Sequence, residues 1–100
     1  MYTEEELAGI FHALSDPLRL RLLDLLPKAE TPEPICVCDL AKKLRVSQPN
    51  MSHHLKILRS AGLIHCIKSG GFSYYQVDPE GVKAALEQVE NRLIHKGIEA

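Results

Sequence analysis

The chain has 100 residues, 45% hydrophobic and 25% charged, which fits one globular domain spanning 1–100. No apolar run approaches the roughly 20 residues that a membrane-spanning helix needs. The acidic start Met1-Tyr2-Thr3-Glu4-Glu5-Glu6 does not read as a secretory leader, so the expectation is a cytoplasmic protein with no membrane partner. The net charge of −1 hides a segregation. Residues 1–39 carry 3 basic and 8 acidic groups, residues 40–77 carry 6 basic and no acidic groups, and residues 78–100 carry 3 basic and 5 acidic groups. An acid-free block of +6 suits a phosphate backbone better than a mixed, solvated face.

The first helix is predicted over Glu4–Leu14, with Leu7, Ile10, Phe11 and Leu14 on one stripe. Ser15-Asp16-Pro17 then forms a turn, with a cap and a first-turn proline. Helix two follows over Pro17–Leu26. It is apolar almost all round, which predicts the central buried helix. Pro27 to Pro34 holds three prolines and reads as a loop. A short helix over Val37–Leu44, a tight connection at Arg45-Val46, and a second helix capped by Ser47 and ended by Gly62 make a helix-turn-helix. Leu40, Leu44, Val46, Met51, Leu55 and Leu58 are expected to pack the two together. Leu63–Lys68 and Phe72–Val77 flank Ser69-Gly70-Gly71 as a hairpin, placed where a wing would follow a recognition helix. The last helix, about Pro79–His95, carries Val82, Ala85, Leu86, Val89, Leu93 and Ile94 on one side. The fold class is therefore mostly α with a β-hairpin wing, a winged helix-turn-helix. Its terminal helices, 4–14 and 79–95, carry more apolar surface than a small monomer covers, which predicts a homodimer formed through them.

The segment Ser47 to Ala61 is expected to read DNA. Gln48, Asn50, Ser52, His53 and Lys56 lie off its packing side, and several are amide or hydroxyl groups near its N-terminal end, which enters a major groove. Ser47, Lys56, Lys68 and Gly70 complete the expected contact set, with the lysines on phosphates. His54 reads as partly buried and structural. The partner is double-stranded operator DNA. No Gly-rich phosphate loop or nucleophile-base set points to an enzyme.

Cys36-Val37-Cys38-Asp39-Leu40 begins the first helix of this unit. Cys36 takes a cap slot that a thiol fills poorly. A helix N-terminus should favour its thiolate, a ligand for soft metals and metalloids. Residues two apart on a regular helix diverge by about 200°, so gripping one ion is expected to unwind the helix start. Cys66 follows His65 on a strand and reads as packed, with a lesser possibility as a third ligand. Oxidant or persulfide sensing through the same thiols is the alternative.

Ala13-Leu14-Ser15-Asp16-Pro17-Leu18-Arg19-Leu20-Arg21-Leu22-Leu23, Cys36-Val37-Cys38-Asp39-Leu40, Ser47-Gln48, Ser52-His53-His54-Leu55 and Gly62-Leu63-Ile64 together resemble the ArsR/SmtB family of bacterial metal-responsive repressors. The Cys-Val-Cys-Asp-Leu string is most similar to the arsenite- and antimonite-sensing branch. The resemblance implies a homodimeric repressor of an ion-resistance operon that leaves its operator when As(III) or Sb(III) binds Cys36 and Cys38. It differs in having Ala41 where some arsenic sensors have a third cysteine, and no cysteine precedes Cys36, unlike cadmium- or lead-responsive members. A repressor responsive to cadmium, lead or mercury is the further alternative.

Overall fold

The computed structural model describes residues 2–28 and 35–95. Five helices and three strands follow in the order α1 (Glu4–Leu14), α2 (Pro17–Leu25), β1 (Ile35–Cys36), α3 (Val37–Leu44), α4 (Gln48–Ser60), β2 (Ile64–Ser69), β3 (Phe72–Val77) and α5 (Pro79–Leu93). The sheet is antiparallel with order β1-β3-β2. Most of the Pro-rich stretch after Lys28 lies outside the described residues.

Local chemistry sets the helix starts. The Thr3 hydroxyl accepts from the Glu6 N–H while the Glu6 carboxylate accepts from the Thr3 N–H, a complete capping box for α1. Asp16 caps α2 through the Leu18 and Arg19 N–H groups, Ser47 caps α4 through that of Asn50, and Asp78 caps α5 through that of Gly81. Pro stands in the first turn of α2, α4 and α5, where its missing N–H costs nothing. Arg45 ends α3 in the left-handed region, at φ 57°, and makes the tight connection to α4.

The core closes around α4. Met51, Leu55 and Leu58 are fully buried against Leu40 of α3, Ile10 and Ala13 of α1, Leu22 of α2 and Leu63-Ile64 at the start of β2. The packing set expected for the helix-turn-helix is all present, with Leu44 and Val46 half-buried. The expectation that α2 is the central buried helix is not met. Of its leucines only Leu22 is buried within the helix, with Leu26 at its end, while Leu20 is 47% and Leu25 38% exposed. A leucine-rich pattern reports surface that avoids water, and cannot say whether this chain or another one covers it. Phe11 likewise leaves the core stripe of α1, at 45% exposure, and Ala13 takes the buried place.

The hairpin pairs from Ile64↔Val77 at its base to Ser69↔Phe72 at its tip, with Gly70 and Gly71 both at positive φ, the backbone a two-residue primed turn requires. β1 was not foreseen. It is two residues long, and its pairs Ile35↔Tyr75 and Cys36↔Tyr74 join segments about 40 positions apart, which local patterning cannot register.

One glycine fixes the seat of α5. A Cβ placed on Gly81 would stand 1.8 Å from the backbone oxygen of Gly62, just past the end of α4. Neither backbone can yield without shifting α5. Gly81→Ala is therefore expected to cost about 1–3 kcal/mol, as overpacked sites do. Gly9→Ala in α1, where a Cβ meets nothing within 4 Å, is expected to gain roughly 0.5–1 kcal/mol through helix propensity. Thermal unfolding of the two variants checks both signs.

Candidate functional site

α4 turns its outer face to solvent. Ser47, Gln48, Asn50, Ser52, His53 and Lys56 are all exposed. On an α-helix Ser52 lies about 40°, Lys56 about 80° and His53 about 140° around from Gln48, with Asn50 about 160° the other way. Gln48, Ser52 and Lys56 thus form a continuous stripe, His53 flanks it about 60° beyond Lys56, and Asn50 lies about 60° farther round. Arg59, about 20° from Gln48 and exposed, extends that stripe and was missed in the sequence because it lies in the last turn. His53 and Lys56 also line a groove of about 620 Å³ between α1 and α4, shared with Glu5, Glu6 and His12. The wing carries Lys68 and Gly70 at its exposed end. All six basic residues of the acid-free block (Lys42, Lys43, Arg45, Lys56, Arg59 and Lys68) are exposed.

Behind this face His54 is buried at 8% exposure, in agreement with its expected structural role. Its Nδ1 lies 2.9 Å from Nη1 of Arg19, itself buried at 4% exposure. Burial first, and then the neighbouring cations Arg19 and His53, push the His54 pKa down against the opposing pull of Asp16.

The second cluster is at the start of α3. One ligand atom from each of Cys36, Cys38 and Asp39 lies within 4.8 Å of the others, the one such grouping among the described residues. An ion about 2.3 Å from each thiolate spans roughly that separation. The sequence expectation that the helix must unwind is corrected here. Cys36 is the N-cap of α3, extended at φ −81° and ψ 162°, so it is not on a helical turn and the two thiols converge with α3 intact. Cys36 makes no side-chain cap bond, as expected of a thiol.

A second correction concerns its ionisation. The Cys36 thiol is pushed up from the ordinary cysteine value, chiefly by its hydrogen bond with Cys38, with the Asp39 carboxylate also holding the proton on. The Asp39 backbone N–H pulls the other way and does not prevail. The helix-terminus effect foreseen from sequence is present but outweighed by two neighbours whose closeness only the fold reveals.

Cys66 is not brought to this cluster. It pairs with Tyr75, as Ile35 does from the other side, while Cys36 pairs with Tyr74, so Cys66 and Cys36 belong to opposite faces of the sheet. Cys66 instead stands opposite Tyr75 on the ladder, and the Tyr75 pKa is raised first by burial and then by this thiol. His65 turns to Gln76, at 2.9 Å.

The family model described as bacterial regulatory protein, arsR family, matches residues 16–65, from the cap of α2 into β2. The chain belongs to the arsR family. An arsenical resistance operon repressor of Staphylococcus xylosus is 42% identical over 76 residues, covering 76% of this chain and 69% of its own. An ArsR-like transcriptional regulator from Rhodococcus sp. RHA1 superposes with a TM-score of 0.73 at 29% identity, covering 87% of this chain and 76% of its own. The homodimeric winged helix-turn-helix DNA-binding domain Mb0332 of Mycobacterium bovis gives 0.68 at 25% identity over 96% and 89% of the two chains. The arsR-family chain is thus a DNA-binding transcriptional regulator with the winged helix-turn-helix fold, a family and fold of regulators and not of enzymes.

Asp39→Asn removes the carboxylate that holds the Cys36 proton. Its Cys36 is expected to react faster with iodoacetamide at neutral pH than the wild-type thiol, as followed by mass spectrometry of the labelled peptide. An unchanged rate would leave Asp39 without influence on the thiol.

Proposed function

We propose that this regulator is an operator-bound repressor released when a thiophilic ion, arsenite or antimonite, binds Cys36 and Cys38. The observation that carries the reading is the convergence of both thiols, with Asp39, within 4.8 Å at the start of α3, the helix on which the DNA-reading α4 packs. In this reading Gln48, Asn50, Ser52 and His53 meet base edges in a major groove, Ser47, Lys56 and the added Arg59 hold phosphates, and Lys68 and Gly70 of the wing lie along the backbone. Two copies join through α1 and α5. Phe11, Leu86, Leu93 and Ile94 are 45–75% exposed in one chain, more apolar surface than a monomer usually leaves bare. The similarity to a domain that is itself homodimeric supports the same arrangement.

The two kinds of ion differ in how their binding depends on pH. Arsenous acid, neutral near pH 7, condenses with two thiols: two As–O bonds break, two As–S bonds form, and both thiol protons leave in water. No free proton is released. A divalent cation instead displaces two protons, and its affinity rises by up to about a hundredfold per pH unit below the thiol pKa. Because the Cys36 thiol is held above its ordinary value, this contrast covers neutral pH. The Asp39 carboxylate, a hard donor beside two soft ones, favours the divalent reading and makes it the second candidate.

The test is operator binding titrated with arsenite at about pH 6.5 and about pH 8. Release is expected at similar arsenite concentrations at both pH values, with Cys36→Ser and Cys38→Ser insensitive to the ion. Mutants that still release DNA would overturn the thiol assignment. Steeply pH-dependent release by cadmium or lead, with none by arsenite, would select the divalent reading. Lys56→Ala and Lys68→Ala are each expected to weaken binding to all sequences and to lower the salt slope by about 1, measured by fluorescence anisotropy at several salt concentrations.

A further inference from the structure

Arg19 is a buried cation in a segment with no buried carboxylate beside it. Its Nε donates to the Ala13 carbonyl at 2.8 Å and its Nη2 to the His12 carbonyl at 2.8 Å. Both oxygens lie in the last turn of α1, where the helix dipole is negative, and the His12 carbonyl also accepts from the Ser15 N–H and hydroxyl. Asp16 is more distant, at 3.9 Å from Nη1. The remaining bond crosses to α4: Nη1 lies 2.9 Å from Nδ1 of His54. A guanidinium has no acceptor, so Arg19 donates and His54 must be neutral with its proton on Nε2. One side chain of α2 thus caps α1 and holds α4 at the position next to His53, in the half of the helix that faces outward as Gln48 and Ser52.

We infer that Arg19 and His54 are positioning residues for DNA recognition, a strut that sets α4 relative to α1 and that opens when His54 takes up a proton. The inference rests on the reading of α4 as the recognition helix. A protonated His54 cannot accept from Arg19, and its Nδ1–H would face a guanidinium 2.9 Å away. The charged groups facing the ring are Asp16 and Arg19 at the start of α2 and His53 on α4 itself; α1 presents only carbonyls to Arg19. The sign follows from the lowered His54 pKa. The neutral strut is complete above the ordinary histidine value of about 6.5 and is lost as pH falls below it. His53 is the neighbouring imidazole on the DNA face, and it is replaced so that the strut alone is read.

The experiment therefore uses a His53→Gln background. Operator affinity in that background is expected to fall by about fivefold or more between roughly pH 7.5 and pH 5, within the usual range for coupled equilibria. Adding His54→Asn, whose Oδ1 stands where Nδ1 stands and can accept from Arg19 without titrating, should abolish the acid loss. Arg19→Lys, which cannot reach all three acceptors in one plane, should weaken operator binding about tenfold. An acid loss that persists in the His54→Asn protein overturns the inference. Nitrogen-detected NMR of His54 in the free protein gives a readout independent of DNA: the Nε2–H tautomer titrating below the ordinary value supports the strut, and an Nδ1–H tautomer overturns it. Failure of wild type to bind any operator at pH 7.5 would instead reject the recognition-helix reading, and the NMR result would still decide the strut.

Discussion

The position of every exposed side chain on the DNA-facing surface depends on the burial of one face of α4. Met51, Leu55 and Leu58 are closed from solvent by α1, α2, α3 and the first residues of β2. Each such side chain contributes about 1.5–3 kcal/mol when removed from water, so α4 has no independent orientation. Its outer stripe points where the core lets it point. The same burial explains why the neighbouring helices can be short. α3 has only 8 residues, too few to be stable alone, and survives because Leu40 and Ala41 are buried under α4.

Most of this frame was legible in the sequence because it is written locally. Capping side chains at Thr3, Asp16, Ser47 and Asp78, first-turn prolines and the Gly70-Gly71 turn act within four residues of themselves. The unforeseen features depend on distance through space. β1 exists only because β3 comes back beside it. Arg19 looks like an ordinary cation on an apolar helix until Ala13, His12 and His54 arrive around it. Its trace in the sequence is faint: an arginine inside a leucine run, with a histidine pair more than 30 positions later. The leucines of α2 misled for a related reason, since periodicity ranks residues by their aversion to water and is silent on what shields them.

The thiol pair shows both sides of that limit. The two-residue spacing was visible, but its geometry was inferred from a regular helix, and Cys36 stands one residue before the helix begins. Being a cap and not a turn residue lets its sulfur approach Cys38. The same approach sets the two protons in competition, which is why the thiol is held up where a helix terminus alone would bring it down. Convergence and proton retention are two results of one backbone conformation.

The pairing of β1 gives the wing an uneven mechanical support. Among the described residues β3 is paired on both sides at Tyr74 and Tyr75, by Cys36 and Ile35 on one edge and Ile67 and Cys66 on the other, and its base is held again where the Val77 N–H donates to the Pro27 carbonyl. Beyond Tyr74 the Lys68↔Ser73 and Ser69↔Phe72 rungs project as a two-stranded cantilever, some 7 Å long at about 3.3 Å per residue. Cys36 sits at the clamped end, and it is also the cap of α3. The wing and the helix-turn-helix therefore share a residue: the backbone of Cys36 is at once a rung of the sheet that carries the hairpin and the point where α3 begins.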